Sequence, residues 1–299
     1  DLLDSVSPSP SKISKIFLQF QEQGKETGRP SFCIRFFGCS LECNGFGQEQ
    51  PTNPDTWDLP YKEVNISLIK KLEDLPVFNK GCDSSYSWSN KYKNLVPSYT
   101  IEELYDVVKS ILPQDSYKYD LCFTGGEPML WQNFMIGFLK YCETKETKFR
   151  RIQIETSGYN KDKKMLKYIQ DSNIECFWSI SPKLYNVSGE KEGVNVQNIV
   201  EIIEKSFGKN YQLKFVMNNK DESWIELKNV IINIESAFKS LYGIELEENV
   251  YIMPVGATLE SQTGTTNSDL SIIANKAISL GYNVSGRLHA NIYGNKMGT

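Results

Sequence analysis

Two cysteines stand four apart in Cys39-Ser40-Leu41-Glu42-Cys43, and a third, Cys82, follows after 38 intervening residues in Gly81-Cys82-Asp83-Ser84. A local pair of thiolates can ligate two irons of one cubane cluster, and a third ligand makes a [4Fe-4S] site with one iron left open. The glycines and polar residues beside these three indicate loops, where packing alone explains a cysteine poorly. Cys33, Cys122, Cys142 and Cys176 lie in apolar stretches and read as ordinary buried thiols. Zinc is the competing chemical reading, which three thiols with no nearby histidine and no clear fourth cysteine suit less well. The only histidine is His289, so Ser-His-Asp or Cys-His nucleophile systems have little to draw on.

A second unusual stretch is Gly125-Gly126-Glu127-Pro128. Paired glycines let a ligand approach the backbone closely, and Glu127 offers a carboxylate to an ammonium group.

These residues need elements to position them. Short β-branched or aromatic runs predict strands at Ser31–Phe37, Tyr119–Phe123, Arg151–Glu155, Cys176–Ile180, Tyr211–Met217 and Val250–Met253. Helical patterns fall at Ile101–Ile111, opened by a Thr100/Glu103 capping box, and at Trp131–Glu143, Lys163–Asp171, Val196–Phe207, Ser223–Leu241 and Ser268–Leu280. Alternation of strand and helix argues for an α/β fold with a parallel sheet and crossover helices. The cysteine loop, the Gly-Gly-Glu-Pro turn, Thr156-Ser157-Gly158, Ser181-Pro182-Lys183 and Pro254-Val255-Gly256 each follow a predicted strand. Ligands bind at that end of such sheets.

One domain over 15–299 is expected, preceded by a flexible N-terminus at 1–14 and interrupted at about 44–80 by a proline-rich insertion. That insertion either caps the cluster side of the barrel or makes a partner contact, and capping is the simpler reading.

The formal net charge is -4, from 33 basic and 37 acidic residues, which gives no general reason to bind nucleic acid. No apolar run approaches membrane-spanning length and no signal peptide opens the chain, so a soluble cytoplasmic protein is expected. The chain opens on Asp1, for which a processed start is expected. An odd count of seven cysteines speaks for reduced thiols rather than a disulfide framework.

The cysteine loop after the first predicted strand and the Gly-Gly-Glu-Pro loop after the second resemble the radical S-adenosylmethionine (SAM) superfamily. The usual CxxxCxxC pattern is here interrupted by the insertion. Cys82-Asp83-Ser84-Ser85-Tyr86-Ser87-Trp88 resembles the CD(S/T)xYxW stretch of the 7-carboxy-7-deazaguanine synthase family. Gln21-Glu22-Gln23-Gly24 stands where that family has QGEG, with Gln23 replacing its Glu. Arg35, Glu155-Thr156-Ser157-Gly158, Ser181-Pro182-Lys183, Lys214-Phe215-Val216 and the tail Gly286-Arg287-Leu288-His289 with Tyr293-Gly294-Asn295-Lys296 follow in family order.

The resemblance implies an open, partial β/α barrel of about six parallel strands. It implies a [4Fe-4S] cluster on Cys39, Cys43 and Cys82. SAM would lie against Gly81, Gly125, Gly126 and Glu127, against Ser181, Pro182 and Lys183, and against Met253, Pro254, Val255 and Gly256. Phe20, Gln21, Glu22, Arg35, Thr124 and Thr299 would face a pterin substrate, and Ser84 would ligate Mg2+, a cation that prefers oxygen.

The implied reaction starts from one-electron reduction of the cluster and cleavage of SAM to a 5′-deoxyadenosyl radical. It converts 6-carboxy-5,6,7,8-tetrahydropterin to 7-carboxy-7-deazaguanine, a queuosine precursor, with loss of ammonia. A flavodoxin-type or reductase electron donor and a homodimer are implied as well. Two alternatives stay open here: a radical SAM activase or other radical SAM enzyme, and a non-catalytic descendant without a cluster.

Overall fold

The computed structural model describes residues 8–172, 174–206, 208–246, 249–262 and 269–295. Nine strands form one sheet: β1 (Ser11–Phe20), β2 (Pro30–Phe36), β3 (Ser98–Tyr99), β4 (Asp120–Gly125), β5 (Ile152–Thr156), β6 (Cys176–Ile180), β7 (Tyr211–Met217), β8 (Val250–Pro254) and β9 (Asn283–Val284). Their spatial order is β3-β1-β2-β4-β5-β6-β7-β8-β9. Every pairing from β2 outward to β9 is parallel, whereas β1 pairs antiparallel with both β2 and β3. The sheet does not close, because β3 and β9 remain at opposite edges. The alternation of strand and helix predicts this parallel sheet, the resemblance implies its open barrel form, and neither predicts the antiparallel edge that widens it.

β1 overturns part of the expected flexible N-terminus. From Ser11 the chain is paired, and Ser11, Ile13 and Ser14 are buried. The Ser/Pro-rich opening hides this strand because its inward face is partly polar. A register shift between Ile13 and Lys15 also breaks its alternation. It leaves Ile13 in the helix-side core and Phe17 against Cys33 and Cys122 on the other face.

Period-two alternation divides each strand between two environments. On β2, Phe32, Ile34 and Phe36 pack with the helices at Ile101–Ile111 and Gln132–Thr144, while Cys33 and Arg35 face the concave side. Thr100 and Glu103 do form the capping box at the first of these helices, at 3.2 and 2.8 Å. A buried charge cluster closes the barrel at the amino-terminal ends of the strands. Asp120 accepts from Arg150 Nε at 2.7 Å and from Arg151 Nε at 3.1 Å, and Arg151 also pairs with Glu26. Such buried charges persist because each is matched by hydrogen-bonded partners. Among the described residues no helix is long and apolar enough to cross a membrane.

Residues 44–80 wind through four single-turn pieces, at Pro54–Thr56, Pro60–Glu63, Ile66–Leu68 and Leu72–Asp74. Tyr61, Leu72, Leu75 and Phe78 form a satellite core with Phe37, Tyr86, Tyr92 and Val96. The two ends meet where Gly81 N–H donates to Phe46 O at 2.7 Å. An added Cβ on Gly47 would come within 2.4 Å of Asn79 O, so this junction is closely packed.

Candidate active site

One cavity opens at the carboxyl ends of the parallel strands, and all three cysteines of the loop pattern line it. Cys39 and Cys43 come from the turn after β2, and Cys82 arrives from the closed neck of the insertion. Cys43 has a left-handed backbone at φ 52, and its N–H and that of Glu42 both donate to Glu190 Oε1, at 2.6 and 2.7 Å. Gly45 N–H donates to Ser188 O at 2.9 Å, so the segment after β6 holds the cysteine loop from below.

The thiols are free and line a wall of the cavity. Burial and the nearby Glu127 carboxylate push Cys39 up to about 12, and burial with Asp83 pushes Cys82 up to about 11. Burial also raises Cys43 well above the usual thiol range. A soft cationic group would have to take these thiols as thiolates, with release of their protons.

The surroundings fit a cluster. Trp88 Nε1–H is buried and aimed at the Cys82 thiol, short of the geometry of a full hydrogen bond. It is a spare donor for a ligating sulfur. Among the described residues no three His, Cys, Asp or Glu groups converge on a single-ion site. Three thiols on one wall of a cavity whose lining holds no histidine and no fourth cysteine suit a cubane with one open iron better than a four-coordinate zinc ion.

The Gly-Gly-Glu-Pro turn packs directly on the cysteine loop. Gly126 N–H donates to Phe36 O at 3.2 Å and Glu127 N–H to Gly38 O at 2.8 Å. A Cβ on Gly126 would fall 2.3 Å from Gly38 O and 3.0 Å from Cys39 Cβ. Gly125 and Gly126 line the cavity, as do Gly81, Ser181, Lys183, Met253, Val255 and Gly256. The lysine ammonium donates to Ser181 Oγ at 3.0 Å.

Four expected site residues do not line it. Glu127 is buried, and its carboxylate is consumed by Met129 N, Thr156 Oγ1, Ser157 N and Ser157 Oγ at 2.6–3.1 Å. It ties the turn after β4 to the turn after β5 and has no oxygen to spare for a ligand ammonium. Pro182 lies between the lining residues Ser181 and Lys183, and Pro254 between Met253 and Val255, yet neither proline lines the cavity. Phe20 likewise lies between the lining residues Gln19 and Gln21. It stacks on Tyr293 at 6.0 Å instead. Thr299 lies outside the described residues.

Gln21, Glu22, Arg35, Ser84 and Thr124 line the same cavity, joined by four motif residues to which the sequence reading gives no site role: Glu155, Lys214, Asp83 and Arg287. Glu155 accepts from Gln21 Nε2 at 3.0 Å and from Thr124 Oγ1 at 2.8 Å. Burial pushes its carboxyl up, but Lys214 and these two donors outweigh it and hold the group below its ordinary range. Lys214 Nζ donates to Gln23 Oε1 at 2.6 Å, which gives the Gln in place of the family Glu a definite partner. Burial lowers the ordinary value of this lysine, against the field of Glu155.

Arg35 Nη1 lies 3.4 Å from both Ser84 Oγ and Gly125 O, and its Nε is buried with no partner. Burial opposes its charge, yet the field of Tyr86, Glu155, Glu22 and Asp83 keeps it firmly cationic. Arg287 pairs with Asp83 at 2.5 Å, Leu288 N–H donates to Glu22 O at 3.1 Å, and His289 Nδ1 lies 2.7 Å from Glu22 Oε2. The C-terminal segment thus closes over the cavity.

A sequence model of the radical SAM superfamily matches residues 79–213. The chain carries a radical SAM domain. It is 24% identical to the 7-carboxy-7-deazaguanine synthase of Pyrobaculum aerophilum over 287 residues, 96% of each protein. It is 29% identical to the 4-hydroxyphenylacetate decarboxylase activating enzyme of Clostridium scatologenes over 241 residues, 65% of this chain and 71% of that enzyme. Its fold is similar to that of QueE from Escherichia coli, with a TM-score of 0.52 at 16% identity, covering 92% of this chain and 93% of that one. The protein is a radical SAM enzyme, and a radical SAM domain implies a [4Fe-4S] cluster and SAM.

Proposed function

We propose that this radical SAM enzyme converts 6-carboxy-5,6,7,8-tetrahydropterin to 7-carboxy-7-deazaguanine with loss of ammonia. The observation that carries this reading is Arg35, a half-buried guanidinium with a buried, unpartnered Nε in a cavity that also holds the three thiols. An arginine of this kind suits a small carboxylated substrate, whose two oxygens match its planar fork. When bound, the cluster and SAM supply hydrogen-atom abstraction. The chain's own part is to orient and enclose.

Cys39, Cys43 and Cys82 would hold the cluster, and Gly125, Gly126, Ser181, Lys183 and the Met253–Gly256 turn would hold SAM. Gln21 and Thr124 fix Glu155, which leaves an ordered anion opposite Arg35 for the polar edge of a heterocycle. Ser84, with the Asp83 carboxylate beside it, would offer oxygen to Mg2+. The closing contacts of Arg287, Leu288 and His289 favour a small molecule over the backbone of a protein partner, which an activase must admit. The near-full-length likeness to the Pyrobaculum aerophilum synthase supports the same choice.

Arg35 gives the test. The parent enzyme should turn over the 6-carboxylated pterin and discriminate about 100-fold in kcat/KM against the pterin without that carboxylate. Arg35→Gln should lose most of that discrimination. Equal discrimination in both proteins would remove Arg35 from substrate recognition and this reading with it.

A further inference from the structure

Cys43 has an unusual backbone for a residue that carries a side chain. Among the described residues only Cys43 and Glu146 combine a side chain with a positive φ, and Cys43 is buried. Such a conformation persists only where its surroundings over-determine it. Here a single atom does so: Glu190 Oε1 accepts from Glu42 N–H at 2.7 Å and from Cys43 N–H at 2.6 Å. Two successive N–H groups that converge on one oxygen form a nest for an anion. The carboxylate that fills it comes from 147 residues further along the chain.

Glu190 is itself held firmly. Its N–H donates to Ser188 Oγ at 3.2 Å, Gly193 N–H donates to Glu190 O at 3.3 Å, and Lys183 N–H donates to Gly193 O at 3.1 Å. A Cβ on Gly193 would fall 2.2 Å from Lys183 O and 3.0 Å from Glu190 Cβ, so the turn that joins the cavity-lining lysine to Glu190 has no slack. A Cβ on Gly45 would fall 2.6 Å from the carbonyl carbon of Ser188, which packs the same turn against the cysteine loop. Glu190 is half-buried and forms no ion pair among the described residues. Its full charge therefore stands beside a candidate cluster ligand.

We infer that Glu190 is a positioning residue for the cluster, which fixes Cys43 for ligation and keeps the reduction potential of the site low. The inference rests on the assignment of the cluster to Cys39, Cys43 and Cys82. Hydrogen bonds to the sulfurs and the net charge nearby both set the potential of an iron–sulfur centre. Glu190 acts on both. It takes up two N–H groups that would otherwise be free to donate to sulfur, and its negative charge opposes the arrival of an electron. A low potential suits a site that passes its electron on to SAM.

The experiment compares the reconstituted parent with Glu190→Gln, Glu190→Ala and a control, Glu192→Gln, which neutralises an exposed acid two residues on. Two quantities are read anaerobically without substrate: the rate of iron release to excess chelator, and the midpoint potential from a spectroscopic redox titration. Glutamine keeps an acceptor oxygen and loses the charge. Glu190→Gln should release iron as slowly as the parent, with its potential shifted to a more positive value. Glu190→Ala loses acceptor and charge together, and should release iron about tenfold faster with the potential shifted at least as far. Glu192→Gln should match the parent in both.

An unshifted potential in Glu190→Gln, an equal shift in Glu192→Gln, or parental iron release in Glu190→Ala would overturn the role. So would fast release in Glu190→Gln, where the acceptor remains. Failure of the cluster assignment would register differently, as a parent that holds no stoichiometric iron, and would overturn the inference with it.

Discussion

Cys82→Ala is expected to fold, to lose the visible absorbance of the cluster, and to lower 5′-deoxyadenosine formation by more than about 100-fold. The side chain is only partly buried, so its removal leaves little cavity to destabilise the chain. Its importance is positional. The Gly81–Phe46 hydrogen bond and the close packing of Gly47 on Asn79 bring the neck of the insertion together beside Cys39 and Cys43. Two thiolates from one turn hold a cubane poorly, and the third reaches them only across this neck. Full iron and sulfide content in the variant would show that the cluster is ligated without Cys82.

Glu127→Ala is expected to destabilise the protein by about 3 kcal/mol and to lower Tm by roughly 10 °C, read by thermal unfolding of the cluster-free chain. The carboxylate accepts from Met129 N, Thr156 Oγ1, Ser157 N and Ser157 Oγ, and alanine would leave buried donors without partners. The same change should weaken SAM binding about tenfold, because Gly126 owes its position on the cysteine loop to this tie. Glu127→Gln should not rescue fully, since its amide nitrogen would face N–H and O–H donors. Unchanged stability with weakened SAM binding would instead assign Glu127 to direct contact with the ligand.

Glu127 illustrates where sequence reading reaches its limit. The Gly-Gly-Glu-Pro motif identifies the loop, but the direction of the carboxylate depends on Thr156 and Ser157, which come from another strand end. Phe20, Pro182 and Pro254 were accessible to simple reasoning, because each is one residue out of phase with neighbours that do line the cavity. The same alternation exposes Glu155 and Lys214, each two residues after a glutamine, Gln153 or Gln212, on the polar face of its strand.

Strands β2 and β4–β8 were legible because their apolar runs and intervening helices have clear periods. β1 was not, since Gln19 near its end and Gln21 just beyond it face the cavity and a register shift disrupts it. Glu190 had no local signal at all. Its role comes only from the return of the segment after β6 beneath Cys43.

The measurement that most directly tests the account is anaerobic turnover of the reconstituted protein with SAM, a chemical reductant, Mg2+ and 6-carboxy-5,6,7,8-tetrahydropterin, with products identified by mass spectrometry. The account predicts 7-carboxy-7-deazaguanine and ammonia, formed only when SAM is present. Formation of 5′-deoxyadenosine with no deazaguanine would contradict the proposed substrate and point to different radical chemistry in the same cavity.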